Sequence, residues 1–416
     1  MSSPRRPRSG VSIYRSESYD RQERRRQRQR RRRWTVIAAV VVVLLVAAGV
    51  AALVARGRGG GAPDTVASGP SATNTAAGTP AATAGSTPSA SPSPSPSAPT
   101  VIQIGWAGDT TPGSMYGDPP DNGRALFAHV RGQLKAPDLM MVNLEGTYSS
   151  GGTSKCSGSS SGVCFAFQAP PSFASALPWA GIGLVNQANN HANDYFGSGL
   201  EQTQEALKKN DVEYTGMPGQ ITTVSVKGVK VAVLGFSPYP WNANINDIPA
   251  AKALVKKAAA KADVVVVLMH VGAEGSDKTH TPHGSEFAFG ENRGDPRAFA
   301  HAVVDSGADL VLGSGPHVIR GIERYRTRLI AYSLGNFGGW GNFGTGGTLS
   351  LSGLLTVKID SGGHIHSGRW LSLWLNEPGV PTVDSSNQSA HLVDQLSSED
   401  FSNTFKMDSS GHFSAK

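Results

Sequence analysis

Cysteine is almost absent from this chain, whose 416 residues include only Cys156 and Cys164. So few cysteines exclude a disulfide-rich scaffold. The two residues lie eight positions apart in a Gly/Ser-rich stretch, KCSGSSSGVCF. In an exported domain this spacing predicts a local disulfide, which would stabilise the fold by about 2 kcal/mol. A free thiol pair and a two-thiolate metal site are the weaker alternatives, because no nearby histidine completes a tetrahedral ligand set.

Positive charge is lacking where a nucleic-acid-binding domain would need it. The whole chain has a formal net charge of +7, but residues 1–34 alone contribute +10, from 13 Arg against three acidic residues. Residues 56–100 contribute a further +1, so the remaining stretch, 101–416, carries −4. A mildly acidic domain makes nucleic acid an unexpected partner. The Arg-rich segment could itself bind anionic lipid or nucleic acid, although setting membrane topology is its simpler role.

Residues 35–55 form an uninterrupted run of apolar and small residues, TVIAAVVVVLLVAAGVAALVA. As a helix this run would span roughly 31 Å, which matches the hydrocarbon thickness of a bilayer. The preceding arginines orient the N-terminus to the cytoplasm, so we expect a single-pass cell-membrane protein with a signal anchor and an extracellular C-terminal domain. A cleaved signal peptide is the alternative, but the run exceeds a usual signal core and no clear cleavage site precedes Arg56.

The chain after the apolar run divides by composition into a linker, a domain and a tail. Residues 56–100 consist largely of Ser, Pro, Ala, Gly and Thr, which predicts an extended extracytoplasmic linker that cannot bury a core. Apolar strand patterns begin at Val101, and we expect one folded domain over 101–376. From Glu377 the chain becomes rich in Ser and Asn with few apolar residues, so a disordered tail is expected over 377–416.

Polar residues recur where the predicted strands of 101–376 end. The residues that follow apolar runs in this way are Asp109, Asn143, Glu145, Asn190, His191, His270 and His317. Because open α/β sheets bind ligands at the carboxyl ends of their strands, we expect these side chains to meet at one rim. A polar turn capped by Asn or Asp is the alternative for each motif taken alone. The repetition of the pattern favours a shared site.

The types of these side chains indicate a divalent metal. Mixed carboxylate, amide and imidazole ligands suit manganese, iron or zinc better than calcium, which prefers an all-oxygen shell. One or two such ions, bridged by a carboxylate, would activate water and hold a phosphoryl group. An uncoordinated histidine beside them could protonate the leaving oxygen. A site without metal is the alternative.

Several of these residues belong to longer motifs, and the motifs occur in a characteristic order. They are GD at 108–109, NLEG at 143–146, ANNHANDY at 188–195, H-x-G-x-E at 270–274, and GADLVLGSGPHVIRGIE with RLIAYSLGNF within 307–337. Over roughly 101–375 the chain resembles the CapA family of poly-γ-glutamate capsule biosynthesis proteins. That family is similar to the calcineurin-like metallophosphoesterases. The resemblance implies an α/β fold, namely a four-layer α-β-β-α sandwich with a two-metal rim.

The resemblance also implies a set of metal ligands. Asp109 and His317 would bind the first metal, and Asn190 and His270 would bind the second. Glu145 would take the place of the carboxylate that bridges the two ions. These assignments rest on the family's motifs.

Other motif residues lie beside the implied ligands. His191 would be the catalytic acid on the phosphate side, Asn143 would accompany Glu145, and Glu274 matches the family's motif without an implied role. The chain departs from the phosphoesterase pattern at two positions, because Thr111 and Gly315 stand where histidines are usual. The loss of two nitrogen ligands weakens both metal positions and leaves a one-metal or metal-free site as alternatives.

Two functions in capsule polymer biosynthesis follow for such a membrane-anchored protein. The first is a metal-dependent hydrolase of the phosphoesterase type that acts on an envelope polymer or phosphoester. The second is a non-catalytic component that holds an anionic polymer of the poly-γ-glutamate type beside a membrane synthase. Because the domain is mildly acidic, polymer binding would need metal or a local basic patch. The candidate patch, whose simpler explanation is a solvated hairpin face, consists of Arg320, Arg324, Arg326 and Arg328.

Overall fold

The computed structural model describes residues 98–114, 117–159 and 164–415. The predicted cytoplasmic segment 1–34 and signal anchor 35–55 lie outside the described residues, as does nearly all of the linker 56–100. Among the residues that are described, no helix combines the length and the apolar character needed to cross a bilayer.

Two mixed β-sheets form the framework of the described chain. The strands of the first sheet are β1 (Val101–Thr110), β2 (Leu139–Leu144), β5 (Ile182–Asn186), β6 (Glu213–Thr215), β15 (Asn336–Gly338), β16 (Leu351–Asp360), β17 (Ile365–Asn376), β18 (Val380–Val383) and β19 (His412–Ser414). The strands of the second sheet are β7 (Thr222–Val226), β8 (Val229–Phe236), β9 (Val264–His270), β12 (Leu310–Ser314), β13 (Ile322–Tyr325) and β14 (Arg328–Ala331). Two short pairs lie apart from them, β3 (Thr147–Tyr148) with β4 (Gln168–Ala169) and β10 (Phe287–Ala288) with β11 (Glu291–Asn292).

The helices of the described residues are mostly short. They are α1 (Arg131–Leu134), α2 (Ala176–Ala180), α3 (Phe196–Lys209), α4 (Ile248–Ala259), α5 (Pro296–Val304) and α6 (Gln388–Asp400). Short 3₁₀ segments occur at Arg124–Leu126, Ala128–Val130, Pro171–Ser175 and Gly347–Ser350.

Aspartate caps define where α4 and α5 begin. The Asp247 side chain accepts a hydrogen bond from the main-chain N–H of Ala250 at 3.1 Å, and Asp295 accepts from Ala298 at 2.9 Å. Each helix also has a proline in its first turn, where a missing N–H costs nothing. The sequence therefore specifies these two helix starts locally.

Three hydrophobic clusters hold the elements together. One combines side chains of both sheets, with Trp106 from β1 and Val266 from β9 among them. A second joins the first sheet to α1, α2 and α3, and a third joins the second sheet to α4 and α5. Complete burial of each large apolar side chain stabilises the fold by about 1.5–3 kcal/mol. Each sheet therefore takes part in two cores, one shared with the other sheet and one shared with helices.

Parallel strand pairing gathers the polar strand ends at one edge of each sheet. In the first sheet Asp109 lies opposite Asn143, and Asn143 lies opposite Asn186. In the second sheet His270 of β9 lies opposite Ser314 of β12. The two edges are close together, because the indole N–H of Trp106 in β1 donates to the carbonyl oxygen of Gly313 in β12 at 3.1 Å. The predicted rim is thus shared by both sheets.

The expectation of a disordered tail over 377–416 is wrong for the described residues, since β18, α6 and β19 are ordered and packed. Helix α6 contributes Val393 and Leu396 to the core shared by both sheets, and Phe405 and Phe413 are also buried there. Strand β19 pairs with β17, and the hydroxyl of Ser397 accepts a hydrogen bond from the main-chain N–H of Ile322 at 2.7 Å. Sparse apolar residues suffice because most of them are buried. The domain therefore extends past residue 376.

Candidate metal centre

Adjacent strand ends deliver two carboxylates into the interior between the sheets. Asp109 is near the end of β1, and Glu145 follows β2 by one residue, where its main-chain N–H donates to the Thr110 carbonyl at 2.8 Å. Both side chains are completely buried, with 0% exposure. Burying two negative charges side by side costs free energy unless a cation or proton compensates them.

His270, at the end of β9, completes a compact set with the two carboxylates. Its Nδ1 lies 3.4 Å from Glu145 Oε1 and 3.8 Å from Asp109 Oδ1. One ligand atom from each of Asp109, Glu145 and His270 lies within 4.8 Å of the others. Two carboxylates and an imidazole at this spacing form a ligand set for a divalent transition metal.

Unpaired polar atoms support metal binding at this set. Neither carboxylate oxygen of Glu145 has a hydrogen-bond partner, although both are shielded from solvent. Such buried groups are normally hydrogen-bonded, and an exception usually marks a functional site or an unfilled ion position. The residues present therefore fit a bound divalent ion.

Charge and burial shift the pKa values of the cluster in opposite directions. Burial and the neighbouring Asp109 charge raise the pKa of Glu145 well above its ordinary value. Burial, opposed by the Asp109 charge, lowers the pKa of His270 to about 3. Burial also disfavours protonation of His317, but the charges of Glu145 and Asp109 outweigh it and raise the pKa of His317 to about 10. Neutral His270 thus has the lone pair that a metal requires, whereas protonated His317 compensates a carboxylate charge.

His317 approaches the carboxylates from the other side. Its Nδ1 lies 3.2 Å from Asp109 Oδ2 and 3.9 Å from Glu145 Oε2, and it adopts a left-handed backbone conformation with φ of 61°. The same nitrogen is 2.8 Å from the amide oxygen of Asn336. Asn336 comes directly after a glycine, in the GNF motif, and it aligns with Asp109 in the β1–β15 pairing. Sequence analysis did not assign it a role, although the motif at a strand end was a signal.

Glu274 faces His317 and is paired with a buried arginine. Its Oε2 lies 3.9 Å from His317 Nε2, and its other oxygen forms an ion pair with Arg293. Arg293 is 2% exposed and also contacts Glu291 at 3.0 Å. Burial lowers the pKa of Arg293 to about 10, while the charges of Glu145 and Asp109 act in the opposite direction. Arg293 was not predicted from the sequence, because it lies in a long loop without a strand-end motif.

Asn143 organises the cluster through its amide group. Its Nδ2 donates to Asp109 Oδ1 at 2.8 Å and lies 3.2 Å from His270 Nδ1. Its oxygen accepts from the amides of Asn186 at 3.0 Å and Asn189 at 3.2 Å. A chain of amides therefore orients one ligand from each sheet, which is the kind of outer-shell support that fixes metal ligands.

His191 is held by Asp194 rather than by the three-residue cluster. Its Nδ1 lies 2.9 Å from Asp194 Oδ2, and donation to this carboxylate places the ring's lone pair on Nε2. Burial lowers the pKa of His191, against the opposing effect of the Asp194 charge. Asp194 itself is completely buried and was missed by sequence analysis, although its place three residues after the histidine in ANNHANDY was a signal.

Asn190 offers a side-chain oxygen with no partner. Its Oδ1 is shielded from solvent and accepts no hydrogen bond, while its main-chain oxygen accepts from Lys155 at 3.1 Å. An orphaned amide oxygen beside His191 has the chemistry of a metal ligand.

The two missing histidines are replaced by residues with structural contacts. The hydroxyl of Thr111 accepts a hydrogen bond from Asn342 Nδ2 at 2.7 Å. Gly315 has φ of 114°, and its N–H donates to Asp109 Oδ2 at 3.3 Å. A Cβ atom at position 315 would lie 2.9 Å from the main-chain nitrogen of Val271, so a histidine would require the backbone to shift. The site is therefore built around fewer nitrogen ligands.

The predicted disulfide is present, whereas one arginine of the predicted basic patch is buried. Cys156 and Cys164 form a disulfide with an S–S distance of 2.07 Å. The expectation that Arg320 belongs to a solvated hairpin face is wrong, because Arg320 is 1% exposed and forms an ion pair with Glu286. A guanidinium reaches a buried carboxylate here because the loop containing Glu286 folds over it.

Comparison with known proteins places these motifs in a family. The model described as "Bacterial capsule synthesis protein PGA_cap" matches residues 103–338, which is more than half of the chain. Capsule biosynthesis protein CapA of Bacillus anthracis is 34% identical over 184 residues, covering 39% of this chain and 41% of that protein. PGA biosynthesis protein CapA of Bacillus subtilis (strain 168) is 32% identical over 171 residues, covering 37% of this chain and 42% of that protein. The matched regions thus span about two fifths of the length of these curated relatives.

Among solved structures, a 5'-nucleotidase precursor from Thermus thermophilus is similar at 13% identity with a TM-score of 0.38, covering 66% of this chain and 54% of that one. A likeness at this level says nothing about the reaction. The motifs, the mixed α/β sheets and the family match agree, and the chain belongs to the bacterial capsule synthesis protein PGA_cap family.

Proposed function

We propose that this protein is a metal-dependent hydrolase of the phosphoesterase type that serves capsule polymer biosynthesis. The observation that carries the proposal is the buried set of Asp109, Glu145 and His270, in which both oxygens of Glu145 lack a partner. A bound manganese, iron or zinc ion would supply an activated water and a clamp for an anionic oxygen. The substrate would be an envelope polymer or a phosphoester.

The residues of the site would have separate roles in metal binding, positioning and proton donation. Asp109, Glu145 and His270 would hold one ion. Asn190, together with His317 after an approaching ion displaces its proton, would extend the site to a second. Asn143 orients Asp109 and His270 through its amide. His191, whose Nδ1 donates to Asp194, would act as the acid once Nε2 has also taken up a proton from solvent, and it would pass that proton to the leaving oxygen. Glu274, paired with Arg293, would limit the movement of His317.

We also propose the four-layer α-β-β-α arrangement for the domain. Its support is the composition of the three hydrophobic clusters, of which one is shared by both sheets and two join a sheet to helices. In that arrangement the rim of both sheets opens at one end, where the candidate ligands meet.

A membrane-anchored, extracellular location is part of the same proposal. The apolar run 35–55 supports an anchor, and the disulfide between Cys156 and Cys164 fits an oxidising compartment outside the cytoplasm. Protease treatment of intact cells tests it, because an exposed domain is degraded while an internal control protein survives.

A second function has its own observation in favour. Thr111 and Gly315 replace two histidines, and His317 is hydrogen-bonded to Asn336, so the ligand set is smaller than that of a typical two-metal hydrolase. A non-catalytic component that holds an anionic capsule polymer beside membrane synthase components would tolerate this loss.

Elemental analysis distinguishes the two functions. The full chain is purified in detergent after expression with manganese, iron and zinc, beside His270→Ala and His317→Ala. His129→Ala, a change at an exposed histidine, is the matched control. Retained metal that falls in both site variants but not in the control supports the hydrolase. No retained metal in the wild-type protein, with binding of poly-γ-glutamate that persists in chelator, would favour the second function.

A further inference from the structure

Lys155 lies directly before the disulfide cysteine Cys156 and reaches the turn that carries Asn190 and His191. Its main-chain N–H donates to the carbonyl oxygen of Asp194 at 2.8 Å. Its ammonium nitrogen lies 2.5 Å from Asp194 Oδ1 and donates to the Asn190 carbonyl oxygen at 3.1 Å. One side chain thus contacts both ends of the turn.

The carboxylate that Lys155 contacts is not an ordinary surface partner. Asp194 is completely buried, and it also accepts from the main-chain N–H of Phe167 at 2.6 Å and faces His191 Nδ1 at 2.9 Å. A buried charge-assisted pair of this kind is stronger than an exposed salt bridge, and removal of one partner leaves an uncompensated charge. Lys155, whose side chain is 27% exposed, therefore reaches inward from the protein surface.

The same turn is linked to the candidate metal site through the neighbouring residue Asn189, whose amide donates to Asn143 Oδ1 at 3.2 Å. The Asn190 carbonyl is fixed by Lys155, and the Asn190 side-chain oxygen is buried without a partner. Because Lys155 holds the main chain of Asn190, fewer orientations are open to the Asn190 side chain. Outer-shell contacts that orient a ligand in this way typically change metal affinity about 10–100-fold when they are removed.

We propose that Lys155 is a positioning residue that holds Asn190 and His191 at the metal site, and that the Cys156–Cys164 disulfide holds Lys155 in place. The proposal rests on the proposed metal-dependent function. It assigns the disulfide a role beyond stability, because reduction would release the residue next to Lys155 and loosen the turn. Metal bound through Asn190 would then be lost first, while the ion held by Asp109, Glu145 and His270 would remain.

The test uses the full chain and the variant Lys155→Met, which removes the charge and keeps the length of the side chain. Lys155→Arg keeps the cation, and Lys227→Met is the matched control, since Lys227 forms an exposed ion pair with Asp138 at 2.8 Å. Manganese content is measured against a graded series of chelator concentrations. Electron paramagnetic resonance then separates coupled ion pairs from single ions.

The expected result is selective. Lys155→Met should weaken one of two manganese ions about 10–100-fold, convert the coupled signal to that of a single ion, and leave the other ion in place. Lys155→Arg should restore most of the affinity, and Lys227→Met should match the wild type. Equal loss of both ions, or no rescue by arginine, would indicate a purely structural lysine and overturn the proposal.

A metal-independent measurement separates this inference from the proposed function. Hydrogen exchange of the amides of 189–194 in chelator should quicken in Lys155→Met and not in Lys227→Met. If exchange there is unchanged, Lys155 does not position the turn, whatever the metal content. If exchange quickens but wild-type protein binds no metal, the proposed metal function is the part that fails, together with the role of Lys155 toward the ion.

The disulfide is tested in the same assays. The Cys156→Ser/Cys164→Ser variant should quicken exchange in 189–194 and weaken the same ion less than Lys155→Met does. Adding Lys155→Met to it should produce less than the sum of the two losses, because both changes act through one contact. Additive losses would overturn the link between the disulfide and Lys155.

Discussion

Glu145 and Glu286 are both buried glutamates, yet their surroundings differ completely. Glu286 is 7% exposed and receives two hydrogen bonds from Arg320, at 2.6 Å and 2.8 Å, and one from the main-chain N–H of Ala273 at 3.1 Å. Glu145 is 0% exposed, and no hydrogen bond reaches either of its oxygens. One carboxylate is satisfied within the protein, and the other is not.

The difference shows that one buried glutamate links two chain segments through an ion pair, whereas the other makes no such link. The Arg320–Glu286 pair joins the long loop after β9 to the strand region before β13, so its charges hold chain segments together. Glu145 lies beside Asp109, where burial and like charge work against its ionised form. Under the proposed function, an ion bound by Glu145 would offset the free-energy cost of burying this carboxylate.

Breaking the satisfied pair should cause the largest loss of stability. Arg320→Met leaves Glu286 buried and unpaired, so the free energy of unfolding should fall by about 3–5 kcal/mol. Urea unfolding in the presence of chelator measures it. The double variant Arg320→Met/Glu286→Gln should recover part of this loss, because no charge is left uncompensated. A loss below about 1 kcal/mol for the single variant would show that the pair is not structural.

Removing the proposed acid should affect catalysis and not metal. His191→Ala should lower the hydrolysis of a phosphodiester such as bis(p-nitrophenyl) phosphate about 10²–10⁴-fold, because the leaving oxygen would lack a proton donor. Metal content should stay close to that of the wild type, since Asp109, Glu145 and His270 are unchanged. Initial-rate kinetics and elemental analysis of the same sample measure both quantities. Full activity in the variant would refute the role of His191.

Replacing Glu145 should lower metal affinity and leave the free energy of unfolding nearly unchanged, whereas the Arg320 change should mainly lower the free energy of unfolding. Glu145→Gln should weaken metal binding by about 100-fold, since a proposed metal ligand is lost. In chelator the free energy of unfolding should change by less than about 1 kcal/mol, because a neutral amide replaces a group that burial already drives toward its neutral form. Metal titration and urea unfolding measure the two effects. A large loss of stability in chelator would contradict the assignment of Glu145 to a ligand.

Asp360 offers a third carboxylate, with a smaller and pH-dependent effect. Despite its burial, hydrogen bonds from His366 and from the turn after β16 lower its pKa to about 2. A carboxylate with a lowered pKa stabilises the fold above its unfolded value near 4, and this contribution is lost as the pH falls toward 2. Asp360→Asn should therefore cost about 2 kcal/mol at pH 7 and progressively less below pH 4. Urea unfolding across this range shows whether the two curves converge.

Much of the site could be predicted from the sequence because its residues lie in local patterns. Asp109, Glu145 and His270 each follow an apolar run, and a run of that kind becomes a buried strand. Parallel strands then place their ends at one edge, so the motifs alone indicated a common rim. The capped starts of α4 and α5 are equally local. The membrane anchor at 35–55 and the linker remain predictions.

Other features were decided by contacts between distant parts of the chain. Arg293, Asp194 and Arg320 belong to loops, and only the tertiary structure brings each to its carboxylate or histidine partner. The region after residue 376 is ordered for the same reason, because a few apolar side chains gain their stability from surfaces formed by residues far away in sequence. The sequence by itself determined which polar residues lie at the ends of the buried strands, since strand ends follow from local hydrophobic patterns. Only the tertiary structure decided which buried charges are paired and which remain available, because pairing depends on distances that no local pattern contains.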